Sequence, residues 1–211
     1  MLILSSETSQ PLLYKIMIGS VLPRPIAWVS SINREGKTNL APFSFFNAVG
    51  SNPPMICFSP GYGEMEETAI GPRVKPKDTL KNITEVGEFV VNIVSRPLAE
   101  KMNQTSADYP AGLSEFDAAG VTAAPSHLVA APRVAESLIN MECKLFQIVR
   151  LGDKIGSGSL IIGEVVCFHL DDRVYKDGQI DPDVLQPIGR MAGALYSTVC
   201  DRFEMRRPPK P

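Results

Sequence analysis

Asn39-Leu-Ala-Pro-Phe-Ser-Phe-Phe-Asn-Ala48 sets three aromatic rings, one proline and three short polar side chains within ten positions. Two chemistries account for such a segment. It can be the end of a strand whose phenylalanines pack into a core. It can also be a site for a flat heteroaromatic ligand, whose face needs apolar contact and whose edge needs fixed amide and backbone hydrogen bonds. A second group, Lys77-Asp78-Thr79, stands where a helix is expected to begin. Free backbone N–H groups at a helix start, aligned with its dipole, attract anions. Lys77 adds a positive charge and Thr79 a hydroxyl donor, so a phosphate monoester suits this point. An ordinary helix cap by Asp78 explains the same triplet. In the phosphate reading Asp78 caps the helix while Lys77 and Thr79 face the ligand.

Other reactive constellations fail on spacing. Gly36-Lys37-Thr38 resembles the end of a phosphate-binding loop, but the earlier glycine position holds Ser31. Gly156-Ser-Gly158 begins a dinucleotide fingerprint, but the third glycine position holds Ile161. The two histidines, His127 and His169, cannot make a tris-histidine metal site, and neither belongs to H-E-x-x-H. His169 reads as a structural histidine in an apolar strand, and His127 remains open as a minor functional residue. There is no G-x-S-x-G elbow and no carboxylate pair suited to glycoside chemistry. No resident metal is expected. An enzyme without these tools can rely on a bound organic cofactor, and hydride transfer to a flavin meets that requirement.

The elements that must position these residues are mainly strands. Ile26–Ile32 is rich in β-branched and aromatic residues, Asn33–Gly36 is a turn, and Thr38–Ala41 returns as a hairpin partner. Met55–Ser59 and Phe89–Ile93 read as further strands, and residues 60–76 as a surface loop. Asp78 opens a helix with Leu80, Ile83 and Val86 on one face and Gly87 as its stop. A second helix runs from Ser95 to about Gln104, with Pro97 in its first turn. Leu12–Ile18 is a short helix or strand. Residues 105–125, carrying Asp108-Tyr109-Pro110 and Phe116, form a long irregular stretch of the kind that serves as a lid or binding loop. Leu138–Leu145 alternates polar and apolar residues, whereas Leu160–Phe168 is apolar on both faces. One of those two faces must therefore be covered by a helix or a second subunit. Lys176–Gln179 is a hairpin turn. Many strands, few helices and no linker predict one domain over residues 1–211, a β-barrel with peripheral helices. Regular strand–helix alternation, the mark of a doubly wound sheet, is missing.

The bulk properties narrow the classes further. Lys plus Arg number 21 and Asp plus Glu 23, a near-neutral balance that excludes broad electrostatic binding to nucleic acid or anionic membrane. No run approaches the ~18 apolar residues that a bilayer span needs, and the first residues do not read as a secretory signal. Cys57, Cys143, Cys167 and Cys200 are far apart and read as reduced, mostly buried thiols. A cytoplasmic protein is expected.

Taken in order, the segments resemble one family. Pro23-Arg-Pro-Ile-Ala-Trp-Val-Ser-Ser31, Gly36-x-x-Asn39-x-Ala-Pro-x-Ser-Phe-Phe-Asn47, Lys77-Asp78-Thr79, Glu85-x-Gly87-Glu-Phe-Val-Val-Asn92 and the late Gly189-Arg190…Tyr196 look like the flavin-reductase-like family of FMN-binding split barrels. The likeness covers nearly the whole chain. It implies a six-stranded Greek-key split barrel that works as a homodimer, with FMN at the subunit interface. It implies that Trp28, Ser30, Ser31, Asn39, Ala41, Pro42, Phe43, Ser44 and Asn47 lie along the flavin, with Ser59 close to the ring system. Lys77 and Thr79 would hold the phosphate, with Arg24 as a weaker contact, and Arg190 and Tyr196 would approach the site. Where the family carries paired glycines this chain reads Met191-Ala192-Gly193, which bears on the nicotinamide or acceptor contacts. The implied activity is an NAD(P)H-dependent flavin reductase, hydride passing from NADH or NADPH to flavin N5. The alternative is a flavoredoxin-like FMN electron carrier that reacts poorly with NAD(P)H.

Overall fold

The computed structural model describes residues 1–69, 71–107, 109 and 113–208. A helix, α1 (Gln10–Ser20), precedes the strand pair β1 (Ala27–Ile32) and β2 (Thr38–Phe43), joined by the expected turn. Next come β3 (Phe46–Ser51), β4 (Pro54–Phe58), α2 (Asp78–Val86), β5 (Glu88–Ile93), α3 (Ala99–Gln104) and α4 (Glu115–Ala119). Two long strands, β6 (Ile139–Arg150) and β7 (Ser159–Leu170), complete one antiparallel sheet in the order β2-β1-β5-β6-β7-β4-β3.

That order dictates the shape. β2 and β3 are the two edges of the sheet, yet only Ser44 and Phe45 separate them in sequence. The sheet must curl until its edges nearly meet. They do not pair with each other, so the barrel is split. The family likeness implies six strands and the sheet holds seven. The extra one is β3, which lies in a segment that reads as a packed turn because Phe46, Asn47 and Gly50 break any period-two pattern. Its register also slips between Ala48 and Gly50.

Inside the curl sit Ala27, Val29, Phe58, Phe89, Val91, Ile161 and Val165, with Leu80 and Ile83 of α2 closing one side. Burying each large aliphatic side chain here contributes roughly 1.5–3 kcal/mol. Gly163 is required by the packing, because a Cβ there would come within 2.4 Å of the Phe89 ring. Outside the curl, Trp28, Leu40, Val94, Met102, Phe116 and Val134 form a second cluster under α3 and α4. Gly87 ends α2 in the left-handed region at φ +78°, its N–H donating to the Ile83 carbonyl. Asp78 does not cap α2. The capping position is Lys77, and Asp78 is the first helical residue. Part of the 105–125 stretch folds as α4, capped by the Ser114 side chain; Asp108 and Pro110 lie outside the described residues. The Lys176–Gln179 turn joins two short paired strands, as expected.

Candidate functional site

A cavity of about 320 Å³ opens between the edge strand β2 and the first turn of α2. Asn39, Ala41, Pro42 and Phe43 form its β2 wall, and Lys77, Asp78 and Thr79 its α2 wall. Strand alternation turns Asn39, Ala41 and Phe43 to one side, and Phe43 packs against Phe58, the ring centroids 5.2 Å apart and the planes tilted by 39°, to anchor that wall in the barrel core. Thr79 is buried, and its Oγ1 accepts a 2.8 Å hydrogen bond from Asn39 Nδ2. With that lone pair occupied, the hydroxyl hydrogen is left to donate elsewhere.

The rim carries both signs of charge. Lys75 pairs with Glu64 at 2.9 Å, and Lys77 stands beside the helix start. Glu115, half-buried, accepts the Leu40 N–H at 3.2 Å. Burial pushes the Glu115 carboxyl above its ordinary range, with Asp78 adding repulsion and the Leu40 amide opposing the rise. Thr105, Ser106, Ala107 and Tyr109 close the far side, and the Tyr109 hydroxyl donates to the Gln104 carbonyl at 2.9 Å. The irregular stretch after α3 therefore does line a cavity. Glu115, Thr105 and Glu64 carry no sequence motif of their own, and only the length of that stretch pointed to the first two.

A smaller cavity of about 170 Å³ adjoins the first, sharing Pro42 and Ser106 with it. Ser44, Asn103, Arg190 and Tyr196 line it. The Arg190 guanidinium lies 4.5 Å over the Tyr196 ring and donates to the Gly193 carbonyl at 2.6 Å. Tyr196 Oη donates to Asn103 Oδ1 at 3.2 Å.

Several residues named from the sequence line neither cavity. Trp28 and Ser30 point to the opposite face of β1 from Ser31, as strand geometry requires. Trp28 is fully buried one layer behind the first cavity and donates its Nε1 hydrogen to Thr105 Oγ1 at 2.8 Å. Ser30 bonds the Pro132 carbonyl. Ser31 is buried and accepts from Asn82 Nδ2 of α2 at 3.1 Å, which fastens the helix to the sheet. Arg24 directs its guanidinium to the carbonyls of Ile18, Val21 and Met191 and to Ser44 Oγ, tying α1 to the C-terminal segment. Burial lowers its pKa from the ordinary arginine value. Asn47 is exposed on β3 with its Oδ1 turned back to the Ala48 N–H. Ser59 donates its backbone N–H to Phe45 and closes the β3–β4 end.

The residues that do converge offer a flat apolar wall, a hydroxyl donor, a helix N-terminus and nearby cations. A planar ligand with a phosphate tail fits that donor set. Among the described residues no helix is long and apolar enough to cross a membrane.

Comparison with known proteins identifies the family. Residues 18–184 match the flavin reductase like domain family. An uncharacterized protein of Halalkalibacterium halodurans is 40% identical over 197 residues, covering 92% of this chain and 90% of its own. The structure of nitrilotriacetate monooxygenase component B from Bacillus cereus superposes with a TM-score of 0.88 at 37% identity, covering 97% of this chain and 98% of that one. The 2-nitrobenzoate 2-nitroreductase of Pseudomonas fluorescens gives a TM-score of 0.84 at 33% identity over 99% and 96%. The chain belongs to the flavin-reductase-like family of oxidoreductases.

Proposed function

We propose that the chain binds FMN in the cavity between β2 and α2 and reduces it with NADH or NADPH. The observation that carries this reading is the buried Thr79 hydroxyl, held by Asn39 at the start of α2. Its donor hydrogen, the free N–H groups of the first helical turn and Lys77 suit a phosphate monoester. Ala41, Pro42 and Phe43 would flank the ring system, and the residues after α3 would keep bulk water from it. Bound FMN would supply a carrier that takes hydride at N5 and passes electrons to an acceptor. The chain's own task is positioning. On the open edge of β2, Pro42 offers a carbonyl but no N–H, and the Leu40 N–H is committed to Glu115. The Pro42 carbonyl is therefore the acceptor this edge offers to the ring, and Ser44, just past the end of β2, adds a hydroxyl on the side of the adjoining cavity. The adjoining cavity would take the nicotinamide or the acceptor, with Arg190 as its positive charge.

We propose further that the chain works as a homodimer. Phe146 is 66% exposed, Val49 on the edge strand β3 is 55% exposed, and α1 leaves Leu12, Ile16 and Met17 largely uncovered. A second copy laid on these surfaces would remove apolar area from water and close the edge strand.

The second reading is an FMN electron carrier with little NAD(P)H activity. It is favoured by the small size of the adjoining cavity and by the engagement of Arg190 with Gly193 and Tyr196. Anaerobic stopped-flow mixing of FMN-loaded protein with NADH and NADPH separates the two. Rapid flavin bleaching is expected, and its absence with both nucleotides would select the carrier.

A further inference from the structure

The outer face of the sheet holds a second convergence of reactive groups. Glu142 on β6 stands directly opposite Cys167 on β7, and Asn140 stands opposite His169. The register slips just beyond Glu142, so that Cys143 pairs with Val165 and Val166 is the extra residue. Without this bulge Cys167 and His169 would share the inward face with Val165. The bulge turns both side chains outward, beside Glu142. The paired row Leu40, Ser30, Val90, Glu142, Cys167 runs across the sheet on the face opposite Asn39 and Ser31. This cluster is therefore separated by the sheet from the cavity at β2.

One ligand atom each from Glu142, Cys167 and His169 lies within 4.8 Å of the others. The Glu142 side chain is fully buried, and its two oxygens accept the backbone N–H groups of His127 and Leu128 at 2.6 Å each. Such hydrogen bonds fix the orientation of metal-binding carboxylates. Burial alone would raise this carboxyl, but the His127 and Leu128 amides and His169 outweigh it and hold it below its ordinary range, ionised. His169 Nε2 contacts Glu142 Oε1 and lies 3.8 Å from Cys167 Sγ. The His169 side chain is 26% exposed, which leaves a path from solvent. A hydrogen-bonded pair accounts for Glu142 and His169 but leaves the placement of the thiol unexplained.

We propose that Glu142, Cys167 and His169 form a binding site for a divalent transition-metal ion of the zinc class. Thiolate and imidazole ligands select such ions over magnesium or calcium. Zinc bonds of about 2.3 Å to sulfur and 2.0–2.1 Å to nitrogen, at a tetrahedral angle, span about 3.6 Å. The observed Sγ–Nε2 separation is 3.8 Å. The His169–Glu142 contact must open to admit the ion, which the exposed His169 ring permits. On binding, the thiol proton passes to solvent, the His169 ring presents an unprotonated nitrogen to the ion, and no electrons move. Burial and the Glu142 carboxylate hold the Cys167 thiol above its ordinary range, with Arg133 opposing the rise, so the ion itself must displace the thiol proton. Three protein ligands leave one position for water or an exogenous ligand. Because Glu142 accepts the His127 and Leu128 amides, the ion would also brace the loop that carries them.

The proposal is independent of flavin binding. Its test uses the full chain, freed of metal by chelator, in a Cys200→Ser background that removes the exposed thiol. Cobalt is titrated by absorbance and then competed with zinc. One cobalt per chain is expected, with a thiolate-to-cobalt band in the near ultraviolet. Cys167→Ser should abolish the band, and both Cys167→Ser and His169→Gln should weaken zinc by more than the roughly 10- to 100-fold that the loss of an orienting group costs. Both exchanges sit at partly exposed positions, and circular dichroism checks that the fold is intact. No stoichiometric uptake, or the same affinity in both variants, would overturn the proposal.

Discussion

Replacing Thr79 by valine removes one hydroxyl and keeps a β-branched side chain of similar volume in the first turn of α2. Helix propensity changes little. Two consequences follow from the hydrogen bond that Thr79 Oγ1 accepts from Asn39 at 2.8 Å. The bound phosphate loses a charge-assisted donor, which costs roughly 1.5–3 kcal/mol. At 1.4 kcal/mol per decade, the FMN dissociation constant should rise about 10- to 150-fold. The Asn39 amide also loses its acceptor in a buried setting, at a cost to the fold of about 1–3 kcal/mol. For a domain of this size that lowers Tm by roughly 2–4 °C per kcal/mol. Thr79→Ser keeps the hydroxyl and should behave nearly as the parent in both respects. Quenching of flavin fluorescence on titration gives the affinity, and thermal unfolding without flavin gives the stability. A Thr79→Val protein that binds FMN within twofold of the parent would refute the placement of the phosphate, whatever its Tm.

Lys77→Ala should also weaken FMN, and raising ionic strength should narrow its difference from the parent, because an exposed charge is screened; equal effects at low and high salt would contradict an electrostatic role. Gly163→Ala should destabilise the fold by about 1–3 kcal/mol through overpacking against Phe89, read by denaturant titration. Glu142→Gln replaces one acceptor oxygen by a donor facing the His127 or Leu128 amide, and should cost about 2–5 kcal/mol as a disrupted buried network. The Glu142 carboxyl is held below its ordinary value in the fold. Its contribution is therefore present above the unfolded pKa of about 4.3 and is lost as pH falls through the lower folded value. The parent should lose more stability than Glu142→Gln on acidification, and parallel pH profiles would contradict this.

Strands with a clean pattern were legible in the sequence. The β1–β2 hairpin, β4 and β5 stand within a residue or two of where β-branched runs and turn residues put them, and the Gly87 stop is where the helix signal placed it. What escaped depends on long-range geometry. β3 has no period-two pattern because it is an exposed edge with a register slip. The bulge beside Glu142 reverses the facing of Cys167 and His169 relative to Val165, which no local pattern records. At the site, Asn39, Ala41, Pro42, Phe43, Lys77 and Thr79 converge on one cavity, and Ser44, Arg190 and Tyr196 on its neighbour. Trp28 and Ser30 carry the family likeness but face away from Ser31. None of the three lines either cavity, because β1 lies one strand in from the open edge and its side chains are buried. Lys77 rather than Asp78 holds the capping position, so the Asp78 carboxylate borders the cavity rather than closing the helix.

The central claim is that the cavity between β2 and α2 is an FMN site. Equilibrium dialysis of the full chain against FMN tests it most directly, with Thr79→Val and Lys77→Ala run in parallel. One FMN bound per chain, with weaker retention in both variants, is the result expected. Protein that retains no flavin, or variants that retain it as tightly as the parent, would contradict the account.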